Sequence, residues 1–291
     1  MNDFLKRPIS LITWHIKSFV YRLADTAFIF LERCMPQWLV LFGVNLDRIP
    51  YSRYRRGGST LYAEWAFRIG LWRALLFPFL NTRHNATIVD IGCGTGIVAL
   101  SAEDFVCDGG RYIGIDVDSA AVAFCRKQYT APYFRFMHHA VHNRMYADAQ
   151  IATHAPYPVE SSSVDAVVAI SVWTNLREED ARFYMREVAR ILQPHGHAFI
   201  TMLLIDDEYA VSSAAYVSGM PFYIFSDGAY GSQNWQTVAG IQTPEHCIGI
   251  TRAGLDEMLA DAGLVIREHM RGRWKSGAGI YPQDILILQK K

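Results

Sequence analysis

The stretch Val89-Asp90-Ile91-Gly92-Cys93-Gly94-Thr95-Gly96 decides the fold of this chain. It begins inside a β-branched run, Thr87–Ile91, which is typical of a buried parallel strand. The apolar segment after it, residues 97–105, is predicted to be a helix. Glycines between a strand and a helix let the backbone turn sharply and approach a ligand without an intervening Cβ. The pattern therefore predicts a ligand site at the carboxyl end of this strand, where open α/β sheets bind their ligands.

Two acids restrict the chemistry of that ligand. The predicted second strand ends at Asp116, about 20 residues past the last glycine, where a carboxylate can bind ribose hydroxyls. The glycines occupy positions 92, 94 and 96, whereas dinucleotide sites use the spacing G-x-G-x-x-G. The carboxylate of Asp90 would repel a pyrophosphate and suits a cationic ligand, such as a sulfonium that also carries an amino group. A nicotinamide nucleotide is therefore disfavoured.

Predicted strands and helices alternate through the rest of the chain. Helices are predicted at residues 119–129, 178–192 and 252–262, and strands at 111–116, 133–136, 165–171, 197–204, 264–270 and 284–288. This alternation indicates a parallel sheet covered by helices on both faces. Residues 205–250, rich in Tyr, Phe, Ser and Gly, break the rhythm and are predicted to be an insertion or lid. The predicted domains are a helical extension over residues 1–56 and an α/β domain over residues 57–291.

These features resemble the class I S-adenosylmethionine-dependent methyltransferases. The common first motif of that family, (V/L)-D-(I/V/L)-G-C-G-x-G, matches Val89 to Gly96 throughout. Further matches, in the expected order, are Gly114-Ile115-Asp116, residues 163–168 and residues 192–197. The resemblance implies a Rossmann-like sheet of seven mostly parallel strands with helices on both faces. It also implies S-adenosylmethionine as the cofactor.

The resemblance implies roles for the residues of the first two motifs. Asp90 and the loop backbone would hold the methionine part of the cofactor, through Gly92, Cys93, Gly94 and Gly96. Asp116 would bind the ribose hydroxyls, and Val117 would flank the adenine.

The loops after the third and fourth strands carry further implied contacts. The family usually places an acid after the third strand, where it binds the adenine amino group. Ala140 occupies that position here, so backbone groups or His139 would replace the contact. Ser171 and Val172, at the end of the fourth strand, would line the cofactor near its methyl group.

Candidate general bases are few. Related enzymes often read Thr-His-Leu after the fourth strand, whereas this chain has Thr174-Asn175-Leu176. Asn175 cannot act as a base near neutral pH, although it can orient a substrate hydroxyl. The remaining candidates are His139, His142 and His246. The His-x-x-x-His spacing over residues 138–142 predicts no metal site, because the third strand ends within it.

Composition limits the partners and the compartment. Basic and acidic residues balance at 28 each, so no nucleic-acid partner is expected. The five cysteines form no C-x-x-C pair and are odd in number, which favours a reducing, cytoplasmic location.

The apolar residues 11–44 leave two interpretations open. Charged residues and Pro36 interrupt the stretch, so it lacks the 18 to 20 apolar residues that cross a bilayer. It fits a pair of amphipathic helices that pack on the domain or cover the substrate site. It also fits a helix that lies on a membrane surface, although a strong basic face is lacking.

The sequence favours an O-methyltransferase that acts on a small molecule or a sugar. The alternatives are an N-methyltransferase, an enzyme for a lipid-linked acceptor, and a non-catalytic binding module with this fold. The aromatic residues of the predicted lid stack on a sugar or planar acceptor, form a cage around a cation, or belong to the core. They are Tyr216, Phe222, Tyr223, Phe225, Tyr230 and Trp235. The acceptor and the oligomeric state do not follow from the sequence.

Overall fold

The computed structural model describes residues 19–20, 22–27, 30, 48–55, 61–80, 85–141, 154–214, 223–238 and 240–290. Within these ranges the α-helices that follow the N-terminal region are α1 (Tyr62–Leu80), α2 (Ile97–Val106), α3 (Ser119–Gln128), α4 (Glu178–Ile191), α5 (Asp207–Ala214), α6 (Arg252–Ala262) and α7 (Arg273–Ser276). The strands there are β1 (Thr87–Ile91), β2 (Arg111–Asp116), β3 (Phe134–His138), β4 (Val164–Ala169), β5 (Leu192–Ile205), β6 (Phe225–Gly228), β7 (Trp235–Val238), β8 (Ile248–Thr251), β9 (Leu264–Met270) and β10 (Asp284–Lys290).

Seven of the strands form the sheet that the sequence predicts, in the order β3-β2-β1-β4-β5-β10-β9. The pairs from β3 to β5 are parallel, and β10 is antiparallel to both β5 and β9. The prediction of a Rossmann-like, mostly parallel α/β fold is thereby confirmed. Strand β1 lies between β2 and β4, so the strand order reverses there. A crevice opens at the carboxyl ends of the strands at such a point.

The predicted insertion at residues 205–250 contributes a helix and three strands. Strand β5 is 14 residues long, and its last three residues pair in parallel with β8, from Leu203 opposite Gly249 onward. Strands β7 and β6 continue antiparallel from β8. The described part of the insertion therefore extends the sheet on one side of the crevice.

The boundary between α4 and β5 differs from the prediction. The helix ends at Ile191 and β5 begins at Leu192, although Pro194-His195-Gly196 is typical of a turn. His195 has a left-handed backbone with φ of 66°. The register with β4 shifts between Val164 and Ala166. The turn residues thus form an irregularity inside a strand, because the chain pairs with β4 on both sides of them.

Two apolar clusters cover the two faces of the sheet. One joins alternate strand residues such as Val89 and Val167 to the buried faces of α4 and α6. The other joins Ile88 and Val168 to helices α1, α2 and α3. This alternation is what a parallel sheet buried on both faces requires. Packing on both faces therefore holds β1, the strand that leads into the glycine loop, in a fixed position.

The described part of the N-terminal region packs on α1 through a buried acid. Residues 19–20, 22–27 and 30 are helical, and Asp25 accepts a hydrogen bond of 2.8 Å from the backbone N–H of Tyr62. Arg55 forms an ion pair with the same carboxylate. On this helix Phe19 and Leu23 are exposed. Across the described residues, no helix combines the length and the apolar character needed to cross a membrane.

Candidate active site

The glycine loop turns tightly between β1 and α2. The N–H of Gly92 donates to the carbonyl of Ile115 at 2.8 Å, which ties the loop to the neighbouring strand. Gly92, Gly94 and Gly96 have left-handed backbones, with φ of 71°, 51° and 99°. Residues with a side chain rarely adopt this conformation, so the three glycines are required by the turn itself.

Close packing adds a second requirement for glycine. A Cβ on Gly92 would lie 2.7 Å from the Cγ2 of Val172, and one on Gly96 would lie 2.4 Å from the ring of Tyr129. Tyr129 is buried and donates a hydrogen bond of 2.8 Å to the carbonyl of Thr95. The loop is therefore held between the end of β4 and α3.

Replacing Gly96 by Ala is expected to lower the free energy of unfolding by about 2–4 kcal/mol, from backbone strain and the displaced Tyr129 ring. Urea denaturation would measure it. The matched control is Gly263→Ala, since Gly263 also has positive φ, at 69°, but a Cβ at this position would have no atom within 4 Å. Equal losses in the two variants would contradict the steric contribution of Tyr129.

Asp90 is a buried acid at the end of β1. It is 1% exposed, and the hydroxyl of Tyr112 donates to its Oδ2 at 2.5 Å. Burial raises the pKa of Asp90 to about 8, against the opposing hydrogen bond from Tyr112, and the charge of Asp116 raises it further. A cation placed beside this carboxyl would restore its ionised form.

Asp116, at the end of β2, is hydrogen-bonded to the same loop. Its Oδ2 accepts a hydrogen bond of 2.7 Å from the N–H of Gly94, and its Oδ1 accepts one of 2.8 Å from the N–H of Asp118. Burial raises the pKa of Asp116, although these backbone hydrogen bonds oppose the effect. The next residue, Val117, is half-buried, and its carbonyl oxygen lies 3.2 Å from Nε2 of His138.

A cavity opens in front of the glycine loop. The loop and β1 line it through Asp90, Gly92, Cys93, Gly94 and Thr95, α2 through Ile97 and Val98, the end of β4 through Ile170 and Ser171, and α1 through Trp65 and Arg68. Most residues predicted to bind the methionine part of the cofactor therefore face one space. The other predicted cofactor residues are outside this lining set, and their cofactor contacts remain predictions; they are Gly96, Asp116, Val117, His139, Ala140 and Val172.

Arg68 is a site residue that the sequence analysis missed. Its guanidinium carbon lies 5.6 Å from the ring centroid of Tyr281. In the described part of the chain, no carboxylate forms an ion pair with it. The signal available in the sequence was a positively charged residue within the mostly apolar segment that forms the helix Tyr62–Leu80.

Ser171 is held in an unusual conformation at the end of β4. Its φ is 58°, in the left-handed region. Its N–H donates to the Oγ1 of Thr201 at 2.7 Å, and its carbonyl accepts from the Nδ2 of Asn175 at 2.6 Å and the Oγ1 of Thr174 at 3.1 Å. Asn175 thus acts on the site by positioning Ser171. Its predicted catalytic role stays a prediction.

Neither of the two candidate histidines among the described residues lines the cavity. His139 is buried, and its Nε2 lies 3.3 Å from the hydroxyl of Tyr184. Burial lowers the pKa of His139, which favours its neutral form. The Nδ1 of His246 lies 3.1 Å from the carbonyl oxygen of Thr243 in its own exposed turn. His142 lies outside the described residues.

The aromatic residues of the insertion divide between core and surface. Phe225 and Trp235 are buried. Tyr230 is 48% exposed, lies under the guanidinium of Arg177 at 4.0 Å and donates to the carboxylate of Glu245 at 2.6 Å. Tyr216 and Phe222 lie outside the described residues. Tyr230 therefore ties the insertion to the loop after β4.

Sequence comparison shows that this chain is similar to known proteins. A family model described as a methyltransferase domain matches residues 89–200. The tRNA (carboxymethyluridine(34)-5-O)-methyltransferase ALKBH8 of Mus musculus is 28% identical over 146 residues, which are 50% of this chain and 19% of that protein. The Macaca fascicularis protein of the same name is 24% identical over 162 residues, 55% and 20% of the two chains. The chain thus matches about a fifth of the length of these relatives.

Comparison of structures shows the same fold. The geranyl diphosphate C-methyltransferase from Streptomyces coelicolor A3(2), solved with Mg2+, geranyl diphosphate and S-adenosyl-L-homocysteine, superposes with a TM-score of 0.50. The two chains are 15% identical, and the alignment covers 76% of this chain and 79% of the other.

Proposed function

Because this chain belongs to the class I S-adenosylmethionine-dependent methyltransferases, we propose that it transfers a methyl group to a hydroxyl of a small molecule or a sugar. S-adenosylmethionine is its cofactor, and when bound it supplies the methyl group as an electrophile on a positively charged sulfur. The observation that carries the proposal is one cavity that combines a buried acid, an open glycine loop and an arginine without an ion-pair partner among the described residues.

The residues of the cavity fit the methionine part of this cofactor. Gly92 and Gly94 present backbone without a Cβ, so a ligand can approach closely. The carboxyl of Asp90 matches an α-ammonium group, and the guanidinium of Arg68 matches an α-carboxylate, with which arginine can form two parallel hydrogen bonds. Asp116 is left to the ribose hydroxyls, as the family resemblance implies.

Arg68→Met is expected to raise the Kd for S-adenosylmethionine about 10- to 100-fold, because a hydrogen bond to a charged group is lost. Decarboxylated S-adenosylmethionine lacks the carboxylate, so its Kd should be the same in both proteins. Calorimetric titration measures both ligands. The control is Arg111→Met, an exposed arginine at the start of β2. Equal weakening of the two ligands would show that Arg68 does not bind the carboxylate.

The hydroxyl acceptor is supported by the charges of the cavity. Asp90 is the one carboxylate among the described residues that line it, and that acid is matched to the ammonium of the cofactor. A protonated amine acceptor would enter as a further cation with no acid to balance it. The zero net charge of the chain favours a small acceptor over a nucleic acid.

The curated relatives favour a second candidate function. Their printed names describe 5-O-methylation of carboxymethyluridine in tRNA. That acceptor is also an oxygen, so it shares the chemistry of the proposal and differs in the size and charge of the substrate. Phosphate recognition by arginine and lysine would make its binding depend steeply on salt.

An acceptor screen with methyl-labelled S-adenosylmethionine tests the proposed function. The full chain is incubated with a cell extract separated into a small-molecule fraction and total tRNA. Label in the small-molecule fraction supports the proposal, and label in tRNA supports the second candidate. Label in neither fraction, from a chain that binds the cofactor, would contradict both candidate functions. Asp116→Ala is the negative control, because it should lose the cofactor.

A further inference from the structure

Gln283, near the end of the sequence, contacts a residue of the cavity wall. Its Oε1 accepts a hydrogen bond of 3.0 Å from the Oγ of Ser171 and one of 2.6 Å from the Oγ1 of Thr201. Ser171 lines the cavity beside the glycine loop, so the half-buried amide of Gln283 lies next to a residue of the cavity wall.

The hydroxyl of Thr201 fixes which way the amide points. Its Oγ1 already accepts the N–H of Ser171 at 2.7 Å. The residue is fully buried, so its hydrogen needs an acceptor, and Oε1 of Gln283 is that acceptor. A flipped amide would remove the acceptor from both hydroxyls. The Nε2 group therefore faces away from Thr201, and no described residue accepts a hydrogen bond from it.

A buried acid anchors the backbone at this position. Asp284 is fully buried and accepts hydrogen bonds from the Nε1 of Trp274 at 2.7 Å and the N–H of Leu204 at 3.1 Å. The Nζ of Lys275 lies 2.9 Å from its Oδ1. These contacts of Asp284 hold the neighbouring Gln283 in one position, as recognition of a reacting group requires.

We infer that Gln283 donates a hydrogen bond from Nε2 to the reacting oxygen of the acceptor, an inference that rests on the proposed function. A donated N–H favours the ionised oxygen, so the acceptor hydroxyl can lose its proton to solvent water. The oxygen then forms the bond to the methyl carbon, and the electron pair of the broken S–C bond stays on the sulfur. The same two N–H groups repel an ammonium group. Gln283 thereby selects a hydroxyl acceptor over an amine, without a strong base at the site.

Gln283→Glu tests this assignment, because a carboxylate keeps acceptor oxygens for Ser171 and Thr201 but lacks the two donors. The probe is 4-nitrophenol, whose ionised form absorbs visible light, titrated with pH in chain saturated with S-adenosylhomocysteine. Wild-type chain should lower the pKa of the bound dye below that of free dye. The variant should raise it and bind the phenolate about tenfold or more weakly.

The matched control is Gln289→Glu, the same change near the other end of β10, where the side chain accepts from Arg267. It should leave the pKa of the bound dye at the wild-type value. Identical dye titrations in wild type and Gln283→Glu, or no dye binding by wild type, would overturn the inference. Calorimetry with S-adenosylhomocysteine separates the two proposals, since a wild-type chain that does not bind it fails the proposed function itself.

Discussion

Asp90→Asn is expected to weaken the binding of S-adenosylmethionine about a hundredfold, because the buried partner of its ammonium group is lost. Burial raises the pKa of Asp90 to about 8 in the cofactor-free chain, so binding near pH 7 must first remove a proton. The affinity of the wild-type chain should therefore increase as the pH rises toward 8. Asn has no proton to lose, so the affinity of the variant should not follow this pH dependence.

The same substitution should stabilise the cofactor-free fold. The pKa of Asp90 is about 8 in the folded chain and near 3.8 when unfolded. Between these values the folded chain holds a proton that the unfolded chain has lost, so the free energy of unfolding falls as the pH rises. Asn stays neutral at every pH, so the variant should lack this fall in the free energy of unfolding. In the wild-type chain the fall should be about 2–4 kcal/mol between pH 5 and 8.

Urea denaturation at pH 5 and pH 8, with calorimetry at both, measures the two effects of Asp90→Asn together. Asp256→Asn is the control, because Asp256 is exposed on α6 beside Arg252. A variant with unchanged affinity for the cofactor would remove Asp90 from the site. A variant with unchanged pH dependence of stability would show that Asp90 is ionised in the free chain.

Lys275→Met is expected to lower the free energy of unfolding by about 3–5 kcal/mol, the usual cost of removing one partner from a buried ion pair. Lys275 is fully buried, and its Nζ lies 2.6 Å from Asp206 and 2.9 Å from Asp284. Burial tends to raise the pKa of Asp284, but the hydrogen bond from His269 and the charge of Lys275 hold it below its usual value. Without Lys275 this carboxylate stays in the core without its main counter-charge.

Urea denaturation near pH 7 measures the loss, and Lys127→Met on the exposed side of α3 is the control, expected within about 0.5 kcal/mol of wild type. A loss below about 1 kcal/mol would contradict the role given to Lys275. Because Asp284 adjoins Gln283, the variant should also bind 4-nitrophenol more weakly.

The parts of the site that the sequence predicts are local in the chain. Asp90, the three glycines and Asp116 lie on two neighbouring strands and one loop, and each residue type reflects a requirement of that short segment. The parallel sheet with helices on both faces follows from the alternation of strands and helices. The position of the cofactor loop can therefore be predicted from the sequence alone.

The missed residues depend on contacts between distant segments. Arg68 reaches the cavity because α1 packs across α2, and Gln283 lies next to Ser171 through the pairing of β5 with β10. In the sequence Thr201 is an ordinary strand residue, whereas in the structure its hydroxyl lies between Ser171 and Gln283. No local pattern carries that information, since the periodicity of a helix or strand gives its buried face but not its partner.

The proposed function depends on the glycine loop, which would bind a sulfonium cofactor between Asp90 and Asp116. Calorimetric titration of the full chain with S-adenosylmethionine and with NADH, in wild type and in Asp116→Ala, tests this most directly. We expect one site for S-adenosylmethionine in wild type, its loss in Asp116→Ala, and no heat from NADH. Saturable binding of NADH, or undiminished binding of S-adenosylmethionine by Asp116→Ala, would contradict it.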